Sequence, residues 1–318
     1  MPYPIERKLV VGISSSALFN LEKEDEIYRK NGVEAYKKYQ ADNKRKILDK
    51  GLAYPFIRRF LNINKVYSEQ KPVEVVLLSR NNPESGLRIF NSIKEYGLDI
   101  SRAAFTAGKN PCLYIPAYNI SLFLSTNHND VEAAISNNMP AGLILKSIVH
   151  DDDNDNELRV AFDFDGVLAD DSVEKVFQET KQLDLYFEHE TQHKDEPIHH
   201  GLLKDFFTRL SYFQKMENKK LEKDPSYIKI VRTAIVTARN APAHERAVNT
   251  LKSWNVEVDE MFFLGGIEKK CVLSILKPHL FIDDQIGHLD QSMENVTLVH
   301  IPFGITNNKQ KALTPAST

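Results

Sequence analysis

Leu158-Arg159-Val160-Ala161-Phe162-Asp163-Phe164-Asp165-Gly166-Val167-Leu168 runs from a short apolar stretch straight into two carboxylates and a glycine. Such a run, closed by turn residues, reads as a buried strand followed by the turn at its carboxyl end. In an open parallel sheet that end is where ligands bind. Two carboxylates two residues apart can divide the work there, one as nucleophile and cation ligand, the other as general acid or base. The same letters also make a good turn, so the motif gains meaning only with its companions along the chain.

Three elements downstream carry complementary groups. Ile235-Val236-Thr237-Ala238-Arg239 closes a second strand with a hydroxyl suited to a phosphoryl oxygen, and Lys269 and Lys270 open a helix after Gly265-Gly266. An ammonium there would neutralise charge on a transferring group. Phe281-Ile282-Asp283-Asp284 ends another strand in paired carboxylates, hard oxygen ligands that suit Mg²⁺. Singly, a strand-end threonine or a helix-opening lysine is ordinary; the order D-x-D, T, K, DD is specific.

Around these motifs short β-branched runs alternate with amphipathic stretches, the mark of βαβ units and a mainly parallel sheet, so the fold class is α/β. Strands are predicted at Leu158 to Phe162, Ile230 to Val236, Met261 to Leu264 and Leu280 to Ile282, with helices at Ser172 to Thr180, Ala243 to Ser253 and Lys270 to Leu276. The first half reads alike, through Lys8 to Ile13, Val73 to Leu78, Glu84 to Tyr96, Ala103 to Thr106, Ser121 to Leu124 and Asp130 to Ser136.

Over about residues 158–305 the motif order resembles the haloacid dehalogenase (HAD) superfamily of phosphohydrolases. Arg159-Val160-Ala161-Phe162-Asp163, Tyr186-Phe187-Glu188-His189-Glu190, Val236-Thr237-Ala238-Arg239, Leu251-Lys252-Ser253-Trp254 and Lys277 through Gln285 resemble the cytosolic 5′-nucleotidase type I family. Ile13-Ser14-Ser15-Ser16-Ala17-Leu18-Phe19, Asn91-Ser92-Ile93 and Ala117-Tyr118 extend that likeness over nearly the whole chain. There are two departures. Ser16 stands where family members carry Arg, which puts that arginine's anion-binding role in doubt, and Asp163-Phe164-Asp165-Gly166 is closer to the general superfamily form.

The resemblance implies a HAD-like Rossmannoid sheet at 158–306 with a helical cap inserted at about 169–229, and Mg²⁺-dependent hydrolysis of nucleoside 5′-monophosphates, AMP or deoxynucleoside monophosphates. It implies Asp163 as nucleophile and Asp165 as general acid and base. Mg²⁺ would be held by Asp163, the backbone carbonyl of Asp165, and Asp284, with Asp283 as second choice. Thr237, Ala238 and Lys269, preferred over Lys270, would bind phosphate, and Phe187, Glu188 and His189 of the cap would contact the nucleoside. A phosphatase of sugar phosphates on the same core and a non-catalytic nucleotide sensor are the alternatives, since a fold does not fix its substrate. His189 and His193, with His199 and His200 nearby, have a spacing compatible with zinc, although the carboxylates already offer a metal locus.

The chain also resembles itself. A shift of 158 lays Val75 to Gly108 on Thr233 to Gly266 without a gap, matching Asn82 with Asn240, Arg88 with Arg246, Asn91 with Asn249, Lys94 with Lys252, Phe105 with Phe263 and Gly108 with Gly266. The same shift sets Ser79 opposite Thr237 and Ser125-Thr126 opposite Asp283-Asp284; a shift of 149 sets Ser14 and Ser16 opposite Asp163 and Asp165, and Pro111 lies opposite Lys269. Every carboxylate has become a hydroxyl, which replaces neither an ionised metal ligand nor an acyl-phosphate nucleophile. Residues 1–149 are therefore expected to be a degenerate HAD-like α/β domain that binds or scaffolds. Ser14 to Ser16, before an expected helix, serve as a phosphate contact or simply as an N-cap.

His150 to Glu157 is a polar acidic run, expected to be a solvated linker; it lacks the glycine and terminal glutamate positions of an EF-hand calcium loop. Residues 307–318 are expected to be a C-terminal tail. In 318 residues, 42% hydrophobic and 27% charged, two domains are expected and disorder is excluded. A net charge of −3 gives no basic field for a nucleic-acid polymer or an anionic membrane. The apolar run Leu9 to Ile13 is too short for a signal or a membrane span, and two cysteines, Cys112 and Cys271, suit a reducing compartment. A soluble cytoplasmic protein is expected, with a homo-oligomer left open.

Overall fold

Valine, isoleucine, leucine and phenylalanine fill the runs that become strands, and nearly every residue of the inner strands is buried, as a parallel sheet covered by helices requires, while the strands Arg102–Phe105 and Glu260–Phe263 are half-buried. The computed structural model describes residues 3–173, 182–304 and 307. Contacts divide the chain into two units, Met1–Asn154 and Asp155–Thr318.

The first unit runs β1 (Leu9–Ile13), α1 (Ser15–Leu18), α2 (Glu22–Asp42), α3 (Tyr54–Val66), β2 (Val73–Ser79), α4 (Pro83–Glu95), β3 (Arg102–Phe105), β4 (Leu122–Ser125), α5 (His128–Ser136) and β5 (Ala141–Ile144). Its strands pair in parallel in the order β3-β2-β1-β4-β5. Asn82 and Asn127 cap α4 and α5 by accepting from Ser85 N and Asp130 N, which fixes where those helices start.

The second unit runs β6 (Leu158–Phe162), α6 (Leu183–Gln192), α7 (Lys204–Lys223), β7 (Val231–Thr237), α8 (His244–Ser253), β8 (Glu260–Phe263), α9 (Lys269–Leu276), β9 (Leu280–Asp283) and β10 (Leu298–His300). Its parallel order, β8-β7-β6-β9-β10, repeats that of the first unit strand for strand. In each unit the first strand is central and its two neighbours arrive from opposite directions along the chain, which opens a crevice at its carboxyl end. In the second unit Phe162 packs on Phe206 and Phe207 of α7, ring centroids 6.1 and 5.0 Å away. Each such buried ring contributes about 1.5–3 kcal/mol.

Sequence periodicity located the strands to within a residue or two, but not α2, α3, β5 or β10. The helix expected at Ser172 to Thr180 falls largely outside the described residues, as does the tail expected at 307–318 apart from Asn307. The acidic run is exposed or half-buried along its length, with one side chain held. The Asp151 side chain is only 2% exposed, because Arg59 Nη1 and Arg58 Nε of α3 donate to it at 2.6 and 2.9 Å. Asp155 accepts from Arg159 Nη2 at 2.6 Å.

Candidate active site

Register brings the motif residues together. Phe162 pairs with Ile235 on one side and Ile282 on the other, so the next residue, Asp163, stands between the ends of β7 and β9. Asp163 N donates to Ile282 O at 2.8 Å and its Oδ1 accepts from Phe164 N at 2.7 Å, which fixes the carboxyl at the sheet edge. Lys269, the first residue of α9, is buried and places Nζ 2.8 Å from Asp163 Oδ2 and 2.7 Å from Asp283 Oδ2. Lys270 points elsewhere, to Glu268 and Asp290.

Two buried carboxyls share this one ammonium. Burial, then Asp283 and Asp165, raise the Asp163 carboxyl despite Lys269. Burial acts on Asp283 too, but Lys269 and His288 outweigh it and hold that carboxyl below its usual range. Lys269 is depressed by burial but raised further by Asp163 and Asp283, so it stays charged.

Asp284 has no such partner. Its Oδ1 is buried without a hydrogen bond, and burial beside Asp163 and Asp283 pushes its carboxyl up to about 9. Its backbone carbonyl is held by His300 Nε2 and Asn307 Nδ2, both at 2.9 Å, which aims the side chain. Gly166, at φ +75°, passes so close that a Cβ there would lie 2.5 Å from the Asp284 carboxylate. An orphaned carboxylate oxygen, in a cradle that only glycine leaves open and among excess acidic groups, fits a hard divalent cation. Asp163, Asp283 and His288 also converge within 4.8 Å, but Lys269 already occupies the facing oxygens of that aspartate pair.

Asp165 lies on the turn two residues on and is held by a bidentate pair, Arg239 Nε and Nη2 each donating at 2.7 Å. Arg239 lies over the Phe164 ring at 5.4 Å and also donates to Ala243 O at 3.1 Å and to Glu190 of α6. Thr237 is buried and its hydroxyl accepts from Arg239 N at 3.2 Å; Ala238, beside it, is exposed.

The cap residues Phe187, Glu188 and His189 lie on α6. Glu190, not Glu188, reaches this network: it is fully buried between Arg239 and Arg246, while Glu188 is exposed and pairs with Gln192. His189 bonds Glu190 at 3.2 Å, and Phe187 is half-buried against Tyr186. His189 and His193 stack at 4.3 Å with Nδ1 atoms turned to Glu190 and the His189 carbonyl, and His199 and His200 are exposed. No histidine cluster forms among the described residues.

The first unit has the same floor in hydroxyls. Ser14 N bonds Leu124 O at 2.9 Å as Asp163 N bonds Ile282 O. Beyond that point the match gains one residue: Gly51 N to Leu18 O corresponds to Gly201 N to Leu168 O, a shift of 150. Contacts therefore set Ser15, not Ser16, opposite Asp165, for Ser15 Oγ meets Ser79 at 3.0 Å and Asn81 at 3.5 Å, the counterparts of Thr237 and Arg239. Ser16 corresponds to Gly166, and its hydroxyl bonds Thr126, the counterpart of Asp284, at 2.6 Å. The space that glycine leaves for a cation in the second unit is thus filled by a side chain in the first. A cavity of about 800 Å³ lies beside this floor, lined in part by Ser16, Asp25, Lys50, Thr126 and Lys146.

A family model described as 5′-nucleotidase matches residues 1–308. Human "Cytosolic 5′-nucleotidase 1B" is 34% identical over 297 residues, covering 91% of this chain and 48% of the relative, so the chain spans about half the length of that curated relative. No solved structure matches. With a match along nearly its whole length, the chain belongs to the 5′-nucleotidase family.

Proposed function

We propose that the second unit is a Mg²⁺-dependent 5′-nucleotidase that hydrolyses nucleoside 5′-monophosphates, AMP or deoxynucleoside monophosphates, through an aspartyl phosphate. The observation that carries this reading is Asp163 at the sheet edge between a buried, charged Lys269 and an orphaned Asp284, in a chain of this family. Asp163 attacks phosphorus, forming the acyl phosphate as the P–O bond to the 5′-oxygen breaks. Asp165 delivers a proton to that oxygen, then takes one from the water that attacks the acyl phosphate and releases inorganic phosphate. Thr237, the Ala238 backbone and Lys269 bind the peripheral oxygens. Asp163, the Asp165 carbonyl and Asp284 would hold Mg²⁺, which when bound offsets the charge of phosphate beside carboxylate. In the cap, Phe187 and His189 remain the proposed nucleoside contacts, and Glu188, which points to solvent, the weakest of the three.

We read residues 1–149 as a degenerate copy that binds or scaffolds, because its floor offers hydroxyls where the chemistry needs carboxylates. The cytoplasm is the proposed location, from the relative's printed name and the two free cysteines. No described helix is long and apolar enough to cross a membrane.

Phosphate release from a panel of nucleoside monophosphates and sugar phosphates, with Mg²⁺ and with chelator, tests the reading. Turnover should need Mg²⁺, favour nucleotides and vanish in Asp163→Asn with the fold intact. Sugar phosphates as best substrates, or near-normal release by Asp163→Asn, would overturn it.

A further inference from the structure

The nucleotidase reading gives Asp165 two successive proton transfers, and the structure shows what holds it. Both carboxylate oxygens are taken by one guanidinium, that of Arg239, which is itself 4% exposed and fixed on three further sides by the Phe164 ring, the Ala243 carbonyl and Glu190. Glu190 belongs to α6 in the inserted segment, 49 residues away in sequence, and is fully buried. A planar fork on two oxygens sets both the position and the rotation of a carboxylate, which a single ammonium cannot do.

The duplication supplies an internal control. Arg246 donates to Glu190 and to Glu196 O; in the first unit Arg88 donates to Gln40 and to Lys46 O at the corresponding places and pairs its charge with Glu24. The contact that fastens the inserted helix is therefore kept in both copies. Arg239 is not: Asn81 stands in its place, next to Ser15 where Asp165 would be. The arginine disappears together with the carboxylate, while the fold-keeping arginine stays.

We propose that Arg239 is a positioning residue for Asp165, and that Glu190 makes this positioning depend on the seating of α6. The inserted segment then does more than cover the site: when α6 is seated, Glu190 anchors the guanidinium that aims the acid–base group. Both oxygens of Asp165 are engaged by the fork, so one arm must let go wherever a proton is to sit on either of them.

This inference rests on the nucleotidase reading, and its test separates the two. Wild type, Asp163→Asn, Arg239→Gln, Arg239→Lys, Glu190→Gln, Arg246→Gln, Asp165→Asn and the Asp165→Asn/Arg239→Gln double variant are compared for kcat, KM and Tm. Loss of aim should lower kcat of Arg239→Gln about 10–100-fold with KM within about threefold. Arg239→Lys should recover only part of that, and Arg239→Gln should add nothing in the Asp165→Asn background. Glu190→Gln keeps the shape of the side chain but removes the carboxylate shared by two buried guanidiniums, so it should lower Tm and lower kcat about 3–10-fold, whereas Arg246→Gln should lower Tm and leave kcat within about threefold. If wild type hydrolyses nucleotides and Asp163→Asn is silent, yet Arg239→Gln keeps wild-type kcat or its loss adds to that of Asp165→Asn, this inference alone fails. If wild type releases no phosphate, both fail. Should Arg239→Gln not fold, Arg239→Lys and Glu190→Gln carry the same decision.

Discussion

At Gly166 a missing methyl group separates the two halves of the chain. Its positive φ and the 2.5 Å approach to Asp284 mean that any side chain must collide with that carboxylate and strain the turn, at about 1–3 kcal/mol. Mg²⁺ should raise the Tm of the wild type by mass action. That rise should be nearly absent in Asp284→Asn and reduced in Gly166→Ala; an undiminished rise in both would place the cation elsewhere. Asp163, Asp165, Thr237, Lys269 and Asp284 were visible in sequence because each sits on a strand end or helix start that its neighbours announce. Glu190, Asn307 and His300 were not, because their partners lie 49, 23 and 16 residues away and no local pattern announces such a pairing. One signal was available: Glu190 aligns with Gln40, both following a Tyr four residues earlier, at the shift of 150 that the contacts reveal.

Among the elements, the tie between the first turn and the segment behind α6 is drawn tight by a glycine in both copies. A Cβ at Gly201 would stand 2.6 Å from the carbonyls of Val167 and Ala169, and one at Gly51 2.7 Å from that of Ala17. Gly201→Ala should therefore cost about 1–3 kcal/mol and lower kcat by shifting the turn that carries Asp165; denaturant unfolding and turnover together check it, and loss of stability alone would detach this tie from catalysis. The run around Asp151 sets an acid limit instead. Burial would raise its carboxyl, but Arg58 and Arg59 outweigh burial and keep it below the ordinary 3.8. A depressed folded value stabilises the fold above that pH, and the contribution is lost as pH falls through the folded value. Wild type and Asp151→Asn should then differ by a steady margin, on the order of 3 kcal/mol, from about pH 5 to 8 and converge in acid. A margin that does not shrink as pH falls below 3.8 would assign it to packing. Composition gave no sign that Asp151 is held, because solvation was inferred from the run's own residues, while burial of this one side chain was decided by two arginines on α3; the rest of the run is exposed or half-buried.

Across the whole molecule, ten parallel-paired strands resolve into one order used twice, but only one set of carboxylates survives. Single-turnover phosphoryl trapping should therefore give no more than one phosphoryl group per chain, cleaved by hydroxylamine as an acyl phosphate is; a second, hydroxylamine-resistant group of the seryl or threonyl phosphate kind would mean that the hydroxyl floor is competent after all. Repetition also has a cost before any chemistry begins. A nascent strand such as β7 meets two central strands of the same apolar pattern, β1 and β6, and only one is its native neighbour. Synthesis from the amino end relieves this competition, since the first sheet can close before the second copy emerges, whereas dilution of the full chain from denaturant releases both sets of edges at once.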